Sequence, residues 1–186
     1  NDEDAVLAVA GPGLDGAGDE VRAIGNVYSR CSVLLGENAT VDAVLSRAPS
    51  CAVLHLAAHG NLRTDNPLFS TIELADGPLT AYDLESLDRM PRLVVLSACS
   101  SGAGRATVGE ETLGLAWTVM GAGATSVVAP LLPIPDVATE TLMTQLHRRL
   151  STGSSCALAL AQARASAHPD DSVAVGVASA FAAYGV

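Results

Sequence analysis

Two short aliphatic runs constrain this chain more than any other feature, CAVLHLAAHG (51–60) and RLVVLSACSSG (92–102). Both are brief and β-branched at their centres, the pattern of strands buried on both faces of a parallel sheet. Parallel strands need crossover connections, and the remaining sequence supplies them. AVLAVAG (5–11) reads as a strand, about 18–29 as a helix, SVLLG (32–36) as a strand, and TVDAVLSRA (40–48) as a helix capped by Thr40. After the first aliphatic run and a polar loop, Asp76-Gly77 marks a hairpin that leads to a short helix capped by Thr80. Beyond the second run the pattern gives a Gly/Ser loop, a helix over about 110–121, a strand TSVVAPLL (125–132), and helices over 136–150 and about 154–167. ASAFAAYGV closes the chain. This alternation predicts an α/β fold in one domain, 1–186, with a mostly parallel central sheet flanked by helices.

Each aliphatic run ends in a reactive side chain, His59 followed by Gly60 in the first and Cys99 in the second. Open α/β sheets gather functional groups at the carboxyl ends of their strands, so adjacent parallel strands would bring the two together. A thiol beside an imidazole is a nucleophile with its base.

Other chemistries fit less well. The formal net charge is −10, and all 10 basic residues are Arg. Such acidity disfavours nucleic acid and an anionic membrane surface. No apolar run reaches the roughly 18 residues of a spanning helix, and the start lacks the basic region of a signal peptide. The chain begins without Met, so we expect a piece of a longer protein. Cys31, Cys51, Cys99 and Cys156 show no CxxC spacing, which points to a reduced, cytoplasmic protein. Cys31, Cys51 and Cys156 read as small core or boundary residues.

GPGLDG (11–16) matches the dinucleotide fingerprint GxGxxG, with Glu37 placed as a ribose ligand. Pro12 removes an amide, however, and Asp15, Asp19 and Glu20 would set carboxylates against a pyrophosphate. A tight strand-to-helix turn is the better reading. Cys51, His55 and His59 share one strand face, but neighbours about 13 Å apart cannot share an ion. No metal and no cofactor are expected. His55 reads as a satisfied core histidine, and His147 and His168 as solvated.

The segments LHLAAHG, ELADGPLTAYDL, LVVLSACSSG, GEETLGL, GAGATSVVAPLLPIPDVAT, LMTQLHRRL and FAAYGV, in this order, resemble a bacterial CHAT domain. That caspase-like module of the separase and gingipain clan is often fused to tetratricopeptide repeats. The resemblance also takes in GPGLDGAGDEVRAI and VLLGENATVDAVL, nearly the whole chain. It implies a caspase-like three-layer sandwich, a Cys/His dyad of His59 and Cys99, and cleavage of a peptide or protein substrate. A regulatory module, tetratricopeptide or other, is implied in the same chain. Relatives carry SLWPVDD where this chain has Leu132 in place of Trp and Pro135 in place of the first Asp, leaving Asp136.

In such a site the thiol attacks the scissile carbonyl, and the backbone N–H groups of Gly60 and Cys99 are the candidate oxyanion donors. Asp136 is the candidate substrate-binding residue, matching an Arg side chain before the cleaved bond as in separase. Its alternative role is the N-cap of the following helix. Glu110 and Glu111 suit a helix first turn. A preference for acidic substrates would point instead to Arg63 or Arg105. The alternatives to a peptidase are a non-catalytic caspase-like interaction module and another enzyme, such as a nucleotide-dependent one.

Overall fold

The computed structural model describes residues 5–185 except 62, 64, 98–107, 133 and 135–138, and side chains are likewise left aside at 108–112. The first strand, β1 (Val6–Ala10), is followed by α1 (Ala17–Gly25), β2 (Cys31–Leu34), α2 (Val41–Arg47) and β3 (Val53–Ala57). The chain then forms β4 (Gly60–Asn61), β5 (Thr71–Leu74), β6 (Gly77–Thr80), α3 (Ala81–Glu85), β7 (Leu93–Leu96) and α4 (Val108–Gly121). It finishes with β8 (Ser126–Pro130), α5 (Glu140–Ser151), α6 (Cys156–Ala165), α7 (Ser172–Ala180) and β9 (Phe181–Gly185).

Six strands form the main sheet in the order β2-β1-β3-β7-β8-β9. All neighbours are parallel except β9, which runs antiparallel to β8. Alternate strand residues enter two separate cores. Leu7, Leu54, Leu56, Val94 and Val127 meet Val44, Leu84, Leu115 and Val119 on one face. Val6, Ala8, Val95 and Val128 meet Val21, Ile24, Met143, Leu146 and Leu160 on the other. Being covered on both faces is why these strands are apolar without interruption. The expected three-layer sandwich is therefore what the structure shows. Leu54 has no exposed surface, and its truncation to Ala would cost about 2–5 kcal/mol.

A small antiparallel sheet, β4-β5-β6, grows from the end of β3. Its hairpin turns at Ala75 and Asp76, with Leu74 opposite Gly77, where the sequence predicts it. Thr40 caps α2 by accepting from the Ala43 N–H at 3.1 Å. Thr80 and Asp83 cap α3 reciprocally in a capping box.

Several elements depart from expectation. Helix α1 stops at Gly25, short of 29, where the Asn26 N–H closes the last turn onto Arg22 and Ile24 carbonyls. Helix α5 opens at Glu140 rather than 136, with Thr139 as its N-cap residue. Strand β4, helix α7 and the edge strand β9 are additional to the predicted set. None of the helices among the described residues is long and apolar enough to cross a membrane.

Candidate active site

The ladder between β3 and β7 sets the geometry. Leu56 pairs with Leu96, and the Ser97 N–H extends the pairing to the Leu56 carbonyl at 2.9 Å. His59 lies three residues beyond Leu56, and Cys99 three beyond Leu96. Cys99 itself, like Asp136 and Arg105, falls outside the described residues.

His59 occupies the step from β3 to the small sheet, where its carbonyl accepts from the Glu73 N–H at 2.8 Å. Gly60 follows it, buried and opposite Ile72 of β5. The imidazole is held by the GPGLDG turn. Its Nε2 lies 3.2 Å from the Gly13 carbonyl oxygen. A carbonyl can only accept, so Nε2 carries the proton and Nδ1 presents its lone pair. Nδ1 is buried and has no hydrogen-bond partner among the described residues. It is the nitrogen available to a thiol.

The turn can come this close because of its glycines. Gly11 passes under Ala58, where a Cβ would stand 2.5 Å from the Ala58 Cβ and 2.4 Å from the Glu73 carbonyl oxygen. Gly13 has φ +79, and a Cβ there would touch the His59 ring at 3.5 Å. GPGLDG is thus a tight turn, as expected, but it is also one wall of the site. The sequence reading of it as a turn alone missed that contact.

The other cysteines sit in environments that suppress reactivity. Burial, reinforced by Cys51, pushes the Cys31 thiol up to about 11, and burial pushes Cys156 up to about 11. Cys51 is buried and donates to the Arg47 carbonyl at 3.4 Å. Arg63 is engaged with Asp65 by two hydrogen bonds of 3.0 and 2.6 Å. That pairing, led by the side-chain hydrogen bond, holds the Asp65 carboxyl below its ordinary range.

The loop from β8 to α5 carries the position of Asp136. Leu132 is exposed, and the Leu131 N–H is tied to the Ala180 carbonyl at 2.6 Å. Thr139 is the N-cap residue of α5, and the helix-capping and substrate-binding roles considered for Asp136 both fall on a residue outside the described ones.

His147 corrects the expectation of a solvated side chain, since it has no exposed surface. Its Nε2 lies 3.1 Å from His55 Nδ1, and its Nδ1 lies 3.0 Å from the Tyr28 hydroxyl. His55 is the satisfied core histidine predicted, with Nε2 2.8 Å from Glu20 Oε1. Glu20 is only 1% exposed, and its other oxygen accepts from the Thr139 hydroxyl. Burial, then the neighbouring His55, holds the His147 imidazole well below its ordinary value. The signal for both missed residues is periodic. Ala17, Glu20, Val21 and Ile24 form the buried stripe of α1, and Leu142, Met143, Leu146 and His147 that of α5. His168 is exposed, as expected. Among the described residues no group of three or more His, Cys, Asp and Glu side chains could hold a metal ion.

Solved structures give the same fold. The complex of Porphyromonas gingivalis RgpB pro- and mature domains matches with a TM-score of 0.62 at 10% identity, over 99% of this chain and 47% of that one. The Arg-specific cysteine proteinase gingipain R matches with a TM-score of 0.61 at 10% identity, over 100% of this chain and 47% of that one. The Saccharomyces cerevisiae separase-securin complex matches with a TM-score of 0.63 at 15% identity, over 99% of this chain but 12% of that one. The chain therefore spans under half the length of each of these proteins. Among curated proteins none matches significantly in sequence. The model of the CHAT domain family matches residues 2–183, and the chain belongs to that family.

Proposed function

We propose that this chain is a cysteine endopeptidase in which Cys99 is the nucleophile and His59 its general base and acid. The observation that carries the reading is the β3/β7 register, which sets both residues three positions past a paired Leu56 and Leu96. The Gly13 carbonyl fixes the His59 tautomer so that Nδ1 accepts the thiol proton. The thiolate attacks the scissile carbonyl carbon, and the oxyanion is received by the backbone N–H groups of Gly60 and Cys99. His59 then protonates the departing amine, and water hydrolyses the acyl-enzyme. Asp136 takes the substrate side chain before the cleaved bond, with Arg as the favoured residue. The Arg specificity of gingipain R supports that choice by analogy.

The chain acts as a single domain, and an attached or partner module governs it. The neighbours' solution as complexes with securin and with a pro-domain supports such control. Three free cysteines support work in a reducing, cytoplasmic setting. Profiling a peptide library with the wild-type protein and with Cys99→Ala tests the whole reading. Cleavage after Arg that vanishes in the variant is expected. Absence of cleavage by either would leave an interaction module in its place.

A further inference from the structure

The turn that holds the His59 ring is tied at both ends to the strand that leads to His59. At its start the Gly11 N–H donates to the Ala57 carbonyl of β3 at 2.9 Å. At its far end stands Glu20, in the first turn of α1, whose N–H bonds back to the Gly16 carbonyl at 3.0 Å. The Glu20 side chain crosses to β3, where Oε1 lies 2.8 Å from Nε2 of His55, four residues before His59. Gly13 lies between these two ties, so they set where its carbonyl stands against the ring.

The first tie is a backbone bond that side-chain changes leave in place. The second joins a carboxylate only 1% exposed to an imidazole with no exposed surface. An apolar pair would fill the same space without desolvating polar groups, so packing alone gives no reason for it. Its directions follow from the donors. Glu20 accepts from the Thr139 hydroxyl at Oε2 and from His55 at Oε1, which puts the His55 proton on Nε2. Nδ1 of His55 then accepts from His147 Nε2, and His147 Nδ1 accepts from the Tyr28 hydroxyl. Such a buried chain has one fully bonded arrangement, whereas apolar contacts let a helix slide on a sheet. It holds α1, and the turn in front of α1, in one register on β3.

We propose that Glu20 is a positioning residue which, through His55, holds the Gly13 carbonyl against Nε2 of His59 and so keeps Nδ1 unprotonated and ready to receive a proton. Its part in turnover rests on the peptidase reading above, but its hold on the ring does not.

Two substitutions separate the bond from the packing. Glu20→Leu leaves an apolar side chain of similar size and no acceptor. Glu20→Gln keeps an oxygen for His55 and turns an amide N–H toward the Thr139 hydroxyl oxygen. Nitrogen-15 NMR in alkaline buffer reads the neutral tautomer of His59. It should show Nε2-protonated His59 in the wild type and in Glu20→Gln, and a mixture of tautomers in Glu20→Leu. In peptide cleavage, kcat of Glu20→Leu should fall about tenfold to a hundredfold with KM within about twofold, because a displaced imidazole loses its proton-transfer geometry and not the substrate contacts. Glu20→Gln should recover most of that loss.

A wild-type His59 protonated at Nδ1 overturns the proposal, and this reading needs no variant to fold. So does a Glu20→Leu protein that melts earlier yet keeps a single Nε2-protonated His59, since Glu20 would then serve stability alone. A wild type that cleaves no peptide overturns the peptidase reading and the part in turnover, while the tautomer comparison still decides the hold on the ring.

Discussion

Acid should destabilise this protein well before its carboxylates titrate, and His147 is the reason. The imidazole is fully buried between α5, β3 and Tyr28, and desolvation followed by its neighbour His55 holds it well below the ordinary 6.5. In the unfolded chain it takes up a proton near 6.5; in the folded chain it does so only at much lower pH. A depressed histidine therefore contributes stability above about pH 6.5 that is lost as pH falls toward its folded value. One proton taken up only on unfolding changes stability by up to about 1.4 kcal/mol per pH unit between the folded and unfolded values, so the midpoint should fall as pH drops below about 6.5. Even one such unit is a noticeable share of the 5–15 kcal/mol or so that typically holds a domain together. Urea titrations at pH 7.5, 6.5, 5.5 and 4.5 would read it as a falling midpoint at constant slope. His147→Gln should flatten the dependence, while His168→Gln, at a side chain 75% exposed, should not change it. Asp65 stays out of this window, since its contribution is present above its ordinary 3.8 and is lost below it. A wild-type midpoint unchanged between pH 6.5 and 4.5, or an unaltered slope in His147→Gln, would refute the reasoning.

Three further outcomes follow from the site. Gly13→Ala places a Cβ at φ +79 against the His59 ring, and a stability loss of about 1–2 kcal/mol by thermal melting should come with a fall in kcat larger than any rise in KM. Asp136→Asn should lower kcat/KM for peptides with Arg before the cleaved bond by up to about 3–5 kcal/mol in equivalent free energy, with little change for apolar residues there. His59→Ala and Cys99→Ala should each abolish most turnover in a continuous peptide assay, and the double variant should be scarcely worse, because groups that act as a unit are non-additive.

The main sheet was legible because its strands are covered on both faces and so read as unbroken apolar runs around Leu54 and Val94. The position of His59 just past β3 was legible because the apolar run that forms the strand stops there. What escaped detection depends on contacts distant in sequence. Gly13 and His59 are 46 residues apart, and only the folded register brings that carbonyl to the ring. Glu20 and His147 sit on apolar stripes, but polarity argues for solvent unless the partners are known, and Thr139 and Tyr28 lie 119 residues from theirs. The late start of α5 has the same origin, since Thr139 is drawn to Glu20 while local sequence favours a helix directly after Pro135. Strand β9 is Ala-rich and short, with a propensity that pairing with β8 decides.

The rate at which each thiol is alkylated tests the central claim most directly. At pH 7 a thiol held near 11 is ionised to only about one part in ten thousand, which applies to Cys31 and Cys156. Limited iodoacetamide treatment of the native protein, followed by mass spectrometry of all four cysteine peptides, should find Cys99 modified fastest by a wide margin. His59→Ala should remove most of that advantage. Labelling of Cys99 at the rate of Cys31 and Cys156, or a fast rate indifferent to His59→Ala, would contradict a Cys99/His59 dyad.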